Sequence, residues 1–194
     1  NEYHKHQHLQ EHIKLLTQDS TELQCLKTIL SNCGEIKSLH QLFSTIKKDI
    51  KISKDRFYKF FKELEESEII YTVPKLNFPN AAKKIYSYNH ALISEVNFKK
   101  NFSNIFTNMV YLELQKKYKN IYYSEQIDFY IEDTKTLILT KPFFLGFQIS
   151  SKILEFIEEY KIKNIQIITV SNETTIYIDN IESQVIPFYS WAVQ

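Results

Sequence analysis

Between residues 20 and 66 apolar side chains recur three or four positions apart, the spacing that lines one face of a helix. The run DSTELQCLKTILSNCG sets Leu23, Leu26, Ile29 and Leu30 on such a stripe, and Gly34 follows where a helix C-cap is expected. SLHQLFSTIKKDI turns Leu39, Leu42, Phe43 and Ile46 inward. ISKDRFYKFFKELEESEII has Ser53 as its N-cap and carries Phe57, Phe60, Phe61 and Leu64 on one stripe. The pattern then becomes β-rich: IIYTVPKL and KKIYSYN read as two strands separated by a loop containing Pro79. Three helices followed by a two-stranded ribbon is the order of a winged helix-turn-helix. Ahead of them, residues 2–16 predict a polar helix.

Past residue 90 the pattern predicts one long helix over 91–118, then strands in NIYYS, IDFYIE, TLILT and FFLGFQIS. SKILEFIEEYKI is a further helix, with Ile153, Phe156, Ile157 and Tyr160 on its apolar side. NIQIITV, TTIYID and SQVIPFYSW complete the strands. Such an order predicts an α/β (α+β) domain around a central mixed sheet. The expected division is therefore a linker helix over 1–18, a winged helix-turn-helix over 19–90 and an α/β domain over 91–194.

Composition narrows the function. With 43% hydrophobic residues the chain supports a real core, and no apolar run reaches the roughly 18 residues of a membrane span. A soluble, cytoplasmic protein with no membrane partner is expected. The chain opens with Asn rather than Met and reads as part of a longer polypeptide. Only two glycines occur, which excludes Walker A and dinucleotide-binding loops, since both need several to bring backbone amides to phosphate. Two cysteines without CxxC spacing, Cys25 and Cys33, read as reduced thiols. A net charge of +1 gives no global case for nucleic acid, although the first ninety residues are slightly basic and the rest slightly acidic.

Candidate chemistry sits in three places. The outer face of the third helix carries Lys54, Arg56, Lys59 and Lys62 interleaved with Tyr58, a set suited to phosphate and base contacts. The acidic residues Glu63, Glu65, Glu66 and Glu68 follow at once, so an ordinary solvated face is the competing reading. His8 and His12, one helical turn apart, are a weak metal pair. Asp128 opens one apolar run and Gln148-Ile149-Ser150 closes a later one, a spacing that resembles the D…(E/Q)xK signature of metal-dependent nucleases. Strand-end capping is the plain alternative there. The aromatics Tyr122, Tyr123, Phe129, Tyr130, Phe143, Phe144 and Phe147 read as core rather than as base-stacking platforms.

SKDRFYKFFKELEESEIIYTVPK, NMVYLELQKKY, IDFYI and QVIPFYSWAVQ, in this order, resemble the region after the ATPase core in a prokaryotic family of AAA-superfamily ATPases. The resemblance implies that a restriction-endonuclease-like domain follows the winged helix, and that ATP and Mg²⁺ are bound by the parent protein rather than by this chain. It also implies where a nuclease site would lie. Thr107 stands at the helix Glu, Asp128 at the strand Asp, Gln148 at the second acid and Ser150 at the lysine. Glu113 is too far round the helix to substitute, and Lys141 or Lys152 would have to replace the lysine in space. One retained carboxylate binds Mg²⁺ poorly, because this cation wants charged oxygens in octahedral array. The expectation is a non-catalytic DNA-binding or interaction module forming the C-terminal part of an AAA-type ATPase. Its partners would be DNA, further copies of itself or the N-terminal ATPase module. The alternatives are a divalent-metal nuclease with a modified site and a protein-protein scaffold without DNA binding.

Overall fold

A computed structural model describes residues 2–97, 101–146 and 149–193. The chain forms two compact units, Asn1–Val73 with Asn80–Asn108, and Pro74–Pro79 with Met109–Gln194. Eight helices, a six-stranded mixed sheet and a three-stranded antiparallel sheet, counted among the described residues, make it a mixed α/β structure.

The first unit runs α1 (Glu2–Leu15), α2 (Ser20–Ser31), β1 (Ile36–Lys37), α3 (Leu39–Asp49), α4 (Lys54–Glu66), β2 (Ile70–Val73), β3 (Lys83–Ser87) and α5 (His90–Val96). Its small sheet is ordered β1-β3-β2, with both pairs antiparallel. Helix starts follow the expected chemistry. Asp19 caps α2 by accepting from the Thr21 and Glu22 amides, Ser38 forms a capping box with Gln41, and Ser53 accepts from the Arg56 amide. Phe57, Phe60, Phe61 and Leu64 of α4 are all buried in one core with Leu26, Ile29, Leu30, Leu42 and Ile46. Each contributes roughly 1.5–3 kcal/mol of apolar transfer. Helix α1 belongs to this core and is no free linker, because Ile13 is fully buried in it. The boundary expected at residues 90/91 falls inside this unit.

Two local expectations are corrected. Gly34 is not the cap of α2, which ends at Ser31 with Asn32 in the cap position. Two residues further on, Gly34 has φ +82° and donates its amide to the Ile85 carbonyl at 2.8 Å. A Cβ there would lie 2.8 Å from Cγ of Asn104, so both backbone conformation and space demand glycine. The long helix over 91–118 is broken: α5 ends at Val96, and α6 spans Phe102–Lys117. Asn97 leaves the helix in an extended conformation, and Asn101 starts the next one by accepting from the Asn104 amide. Phe98, Lys99 and Lys100 lie outside the described residues.

The second unit holds the rest of α6, from Met109, then β4 (Ile121–Ser124), β5 (Ile127–Ile131), β6 (Thr136–Thr140), α7 (Ser151–Tyr160), β7 (Asn164–Thr169), β8 (Thr174–Ile178), β9 (Ile181–Pro187) and α8 (Phe188–Trp191). The sheet order is β4-β5-β6-β7-β9-β8. Strands β4, β5 and β6 form an antiparallel meander, β6, β7 and β9 are parallel, and β8 returns antiparallel on β9. Tyr130, Leu137, Leu139, Ile165 and Ile167 pack with Ile153, Phe156 and Ile157 of α7. From the next position along β5, on the other face, Phe129 stacks on Tyr111 of α6.

The strand expected over 143–150 is absent from residues 143–146 and 149–150, and Phe147 and Gln148 lie outside the described residues. The reason is topological. Strand β6 is already flanked by β5 and β7, so the segment after it cannot pair back onto β6 as a hairpin. The chain leaves the sheet at Pro142, whose carbonyl accepts from the Val170 amide, and crosses over through α7.

Candidate functional site

The basic face of α4 is built by its capped start and its buried phenylalanines, which together turn Lys54, Arg56, Lys59 and Lys62 to solvent. Arg56 is not presented outward as an unpaired cation. Its guanidinium donates to the carboxylate of Asp19 and lies 3.7 Å from Glu22. Asp19 is thereby both the N-cap of α2 and the anchor of α4. The Glu22 amide, then the Arg56 hydrogen bond, hold its carboxyl below the usual range, and the same pairing raises Arg56. Lys59 and Lys62 sit 3.6 and 3.3 Å from Glu63 and Glu66 one turn on, exposed pairs worth only a few tenths of a kcal/mol. Tyr58 is half-buried and edge-on to Phe57, with Lys54 over its ring.

The sequence reading missed the neighbouring cations. Lys47, Lys48 and Lys51, from the last turn of α3 and the turn that follows, are exposed and have no carboxylate partner among the described residues. Their signal was present as KKDIKISK, four lysines in eight residues, but it crosses an element boundary and no helix-face pattern selects it.

Of the nuclease-like positions, Thr107, Asp128 and Ser150 lie among the described residues. Asp128 is on β5, where register sets Phe129 opposite Ile138, and its carboxylate accepts from the Thr140 amide at 2.8 Å and the Thr140 hydroxyl at 2.9 Å. The register places Leu139 opposite Asp128, and the Asp128 carboxylate reaches one residue further along β6 to Thr140, which Lys141 and Pro142 follow. Gln148 lies outside the described residues. Ser150 donates its hydroxyl to Gln126, and Lys152 pairs with Glu125 at 2.8 Å. Glu125 also meets Lys75 at 3.6 Å, and the Lys152 hydrogen bond leads the effects that lower its carboxyl. Thr107 is buried on the part of α6 that belongs to the first unit. Glu113 is engaged by Lys116, 2.7 Å from both its oxygens. A single carboxylate satisfied by a threonine does not fit a divalent cation that needs several charged oxygens.

The histidine pair separates. His12 hydrogen-bonds the hydroxyl of Tyr88, while His8 is 3.9 Å from Glu11. His6 instead pairs with Glu95 of α5 at 2.5 Å, and Gln10 holds the other oxygen at 2.6 Å. No group of three His, Cys, Asp or Glu able to hold a metal occurs among the described residues. Cys25 and Cys33 are free and buried, and burial pushes the Cys25 thiol up to about 11 and Cys33 higher still. Buried neutral thiols are poor nucleophiles.

Of the aromatics, Tyr123, Phe129 and Tyr130 are buried, Tyr122 and Phe144 are half-buried, and Phe143 is 69% exposed. No helix among the described residues is long and apolar enough to cross a membrane. In comparison with known proteins, no family model matches the chain and no curated protein matches it.

Proposed function

We propose that the chain is a non-catalytic module that engages duplex DNA through its first unit, and that it forms the C-terminal part of an AAA-type ATPase. The observation that carries the DNA reading is the path α2–β1–α3–α4–β2–β3 with sheet order β1-β3-β2, the connectivity of a winged helix-turn-helix. The exposed lysines Lys47, Lys48, Lys51 and Lys54 flank the turn that brings α4 forward. Lysines of this kind supply phosphate contacts, which position a protein on DNA without reading its sequence. The engagement of Arg56 by Asp19 removes the best base-reading side chain and favours backbone contact. The ATPase assignment rests on the sequence resemblance. Absence of catalysis is supported by the loss of the second acid and the lysine, and by the hydrogen bonds that occupy Asp128.

The test is fluorescence anisotropy of the whole chain with a short labelled duplex, with and without Mg²⁺. Four phosphate contacts predict an affinity that falls roughly a hundredfold between ~50 and ~200 mM salt. Lys48→Ala/Lys51→Ala should weaken binding and flatten that slope. Salt-independent binding, or none, rejects the DNA reading and favours a protein scaffold, for which the net charge of +1 is the supporting observation. Cleavage of the duplex with Mg²⁺ that disappears in Asp128→Asn would reject the non-catalytic reading.

A further inference from the structure

We infer that β8 is a docking edge for an extended, positively charged segment of another protein. The two edges of the six-stranded sheet are treated differently. At the β4 edge, residues 74–76 lie alongside: the Leu76 amide donates to the Tyr123 carbonyl at 3.0 Å, and Tyr123 donates to the Pro74 carbonyl at 3.1 Å. At the other end of the sheet, β8 pairs with β9 on one side and with no strand on the other among the described residues.

Strand β8 reads Thr-Thr-Ile-Tyr-Ile and lacks the devices that blunt an edge. It has no lysine and no proline, and its register on β9 runs without a bulge from Thr174↔Val185 to Ile178↔Ile181. The connecting turn, Asp179-Asn180, has φ values of 48° and 63°, both positive as a type I′ hairpin requires. In a two-residue hairpin the closing pair, here Ile178 and Ile181, exchanges both backbone hydrogen bonds. By alternation Ile176 and Thr174 also bond to β9, so Thr175 and Tyr177 turn their amides and carbonyls to the open edge. Both are exposed, Tyr177 by 71%.

Charge chooses the occupant. Residues 170–187 hold three exposed carboxylates, Glu173, Asp179 and Glu182, and no Lys or Arg. A second copy paired antiparallel about Ile176 would set Glu173 against Asp179 twice over. A strand flanked by lysines meets opposite charge instead and adds by main-chain hydrogen bonding.

The test uses the whole chain, isotope-labelled, with the peptide acetyl-Lys-Thr-Val-Thr-Val-Lys-amide as probe and amide hydrogen exchange as readout. The Thr175 and Tyr177 amides should slow at least severalfold, Ile176 and Ile178 should change little, and added salt should reverse the effect. The exposed double change Glu173→Lys/Glu182→Lys should lose this peptide and accept the Glu-flanked counterpart, with an unaltered circular dichroism spectrum. No slowing at Thr175 and Tyr177 under saturating peptide overturns the proposal. So does protection that rises with protein concentration alone, which would seat a second copy on the edge.

Discussion

The helix caps of the first unit and the nuclease-like positions of the second spend their polar side chains differently. In the first, the polar residues at helix starts bond to amides two or three positions away, as Asp19, Ser38 and Ser53 do. In the second, the polar residues picked out as a vestigial site bond across the fold. Asp128 reaches Thr140, Ser150 reaches Gln126 and Lys152 reaches Glu125, over separations of 12, 24 and 27 residues. Even the helix starts differ, since Ser150 stands at the cap of α7 and makes no cap hydrogen bond with its side chain. A local polar contact is written in the spacing of the sequence. A non-local one depends on register and topology.

Asn108 tests that contrast most severely, because it is a fully buried non-local polar residue in the unit that holds those caps. It accepts from the Ser87 amide at 2.7 Å and donates to the Ser87 carbonyl at 2.8 Å, as a neighbouring strand would. Asn108→Ala strands both backbone groups and should cost about 3 kcal/mol in urea unfolding. A loss under ~1 kcal/mol would mean that water or another group replaces it. Gly34→Ala should cost about 2 kcal/mol by the same measurement, from its left-handed backbone and the Asn104 contact. In the second unit, Asp128→Ala removes the acceptor of two hydrogen bonds and should cost about 1–2 kcal/mol.

A smaller gain is expected at the end of α7. Lys161 caps that helix at φ 51° in a chain with only two glycines, and Lys161→Gly should stabilise by roughly 0.5–1 kcal/mol in thermal unfolding. The smallest effects are those of pH, and two are expected in the first unit. Burial, then the charge of Lys5, holds His90 below its ordinary 6.5. The unfolded chain then takes up a proton first, so stability falls as pH drops from that value through the folded one. His90→Gln should remove this step. Asp19, lowered in the folded state, gives stability that is present above its ordinary 3.8 and is lost as pH falls through the folded value. Asp19→Asn should erase that second step in an acid titration of the melting temperature.

Helices α2, α3 and α4 were legible because a 3.6-residue period and a capping side chain lie within a few positions of each other. The apolar stripes of α4 and α7 were legible for the same reason. The continuous helix over 91–118 was not legible as two, since its apolar spacing runs on through Asn97, where the backbone turns extended, and Asn101, whose side chain caps the next helix. The apolar run at Phe143–Phe144–Leu145 looked like a strand because composition carries no information about whether a sheet edge is available. In the candidate site, the lysines of α4 were visible on one face, but the engagement of Arg56 was not, because Asp19 is 37 residues away.

The sequence by itself determined helices α2, α3, α4 and α7 and most of the strands, the inward residues of those helices, and the absence of glycine-rich phosphate loops. These depend on local backbone preference and on the burial of apolar side chains, both of which act over a few residues. Only the tertiary structure decided that Asp128 bonds to Thr140, that Arg56 is tied to the start of α2, and that no described strand pairs with the outer side of β8. Each of those follows from how separate elements pack or pair across the fold, and no spacing within one segment encodes it.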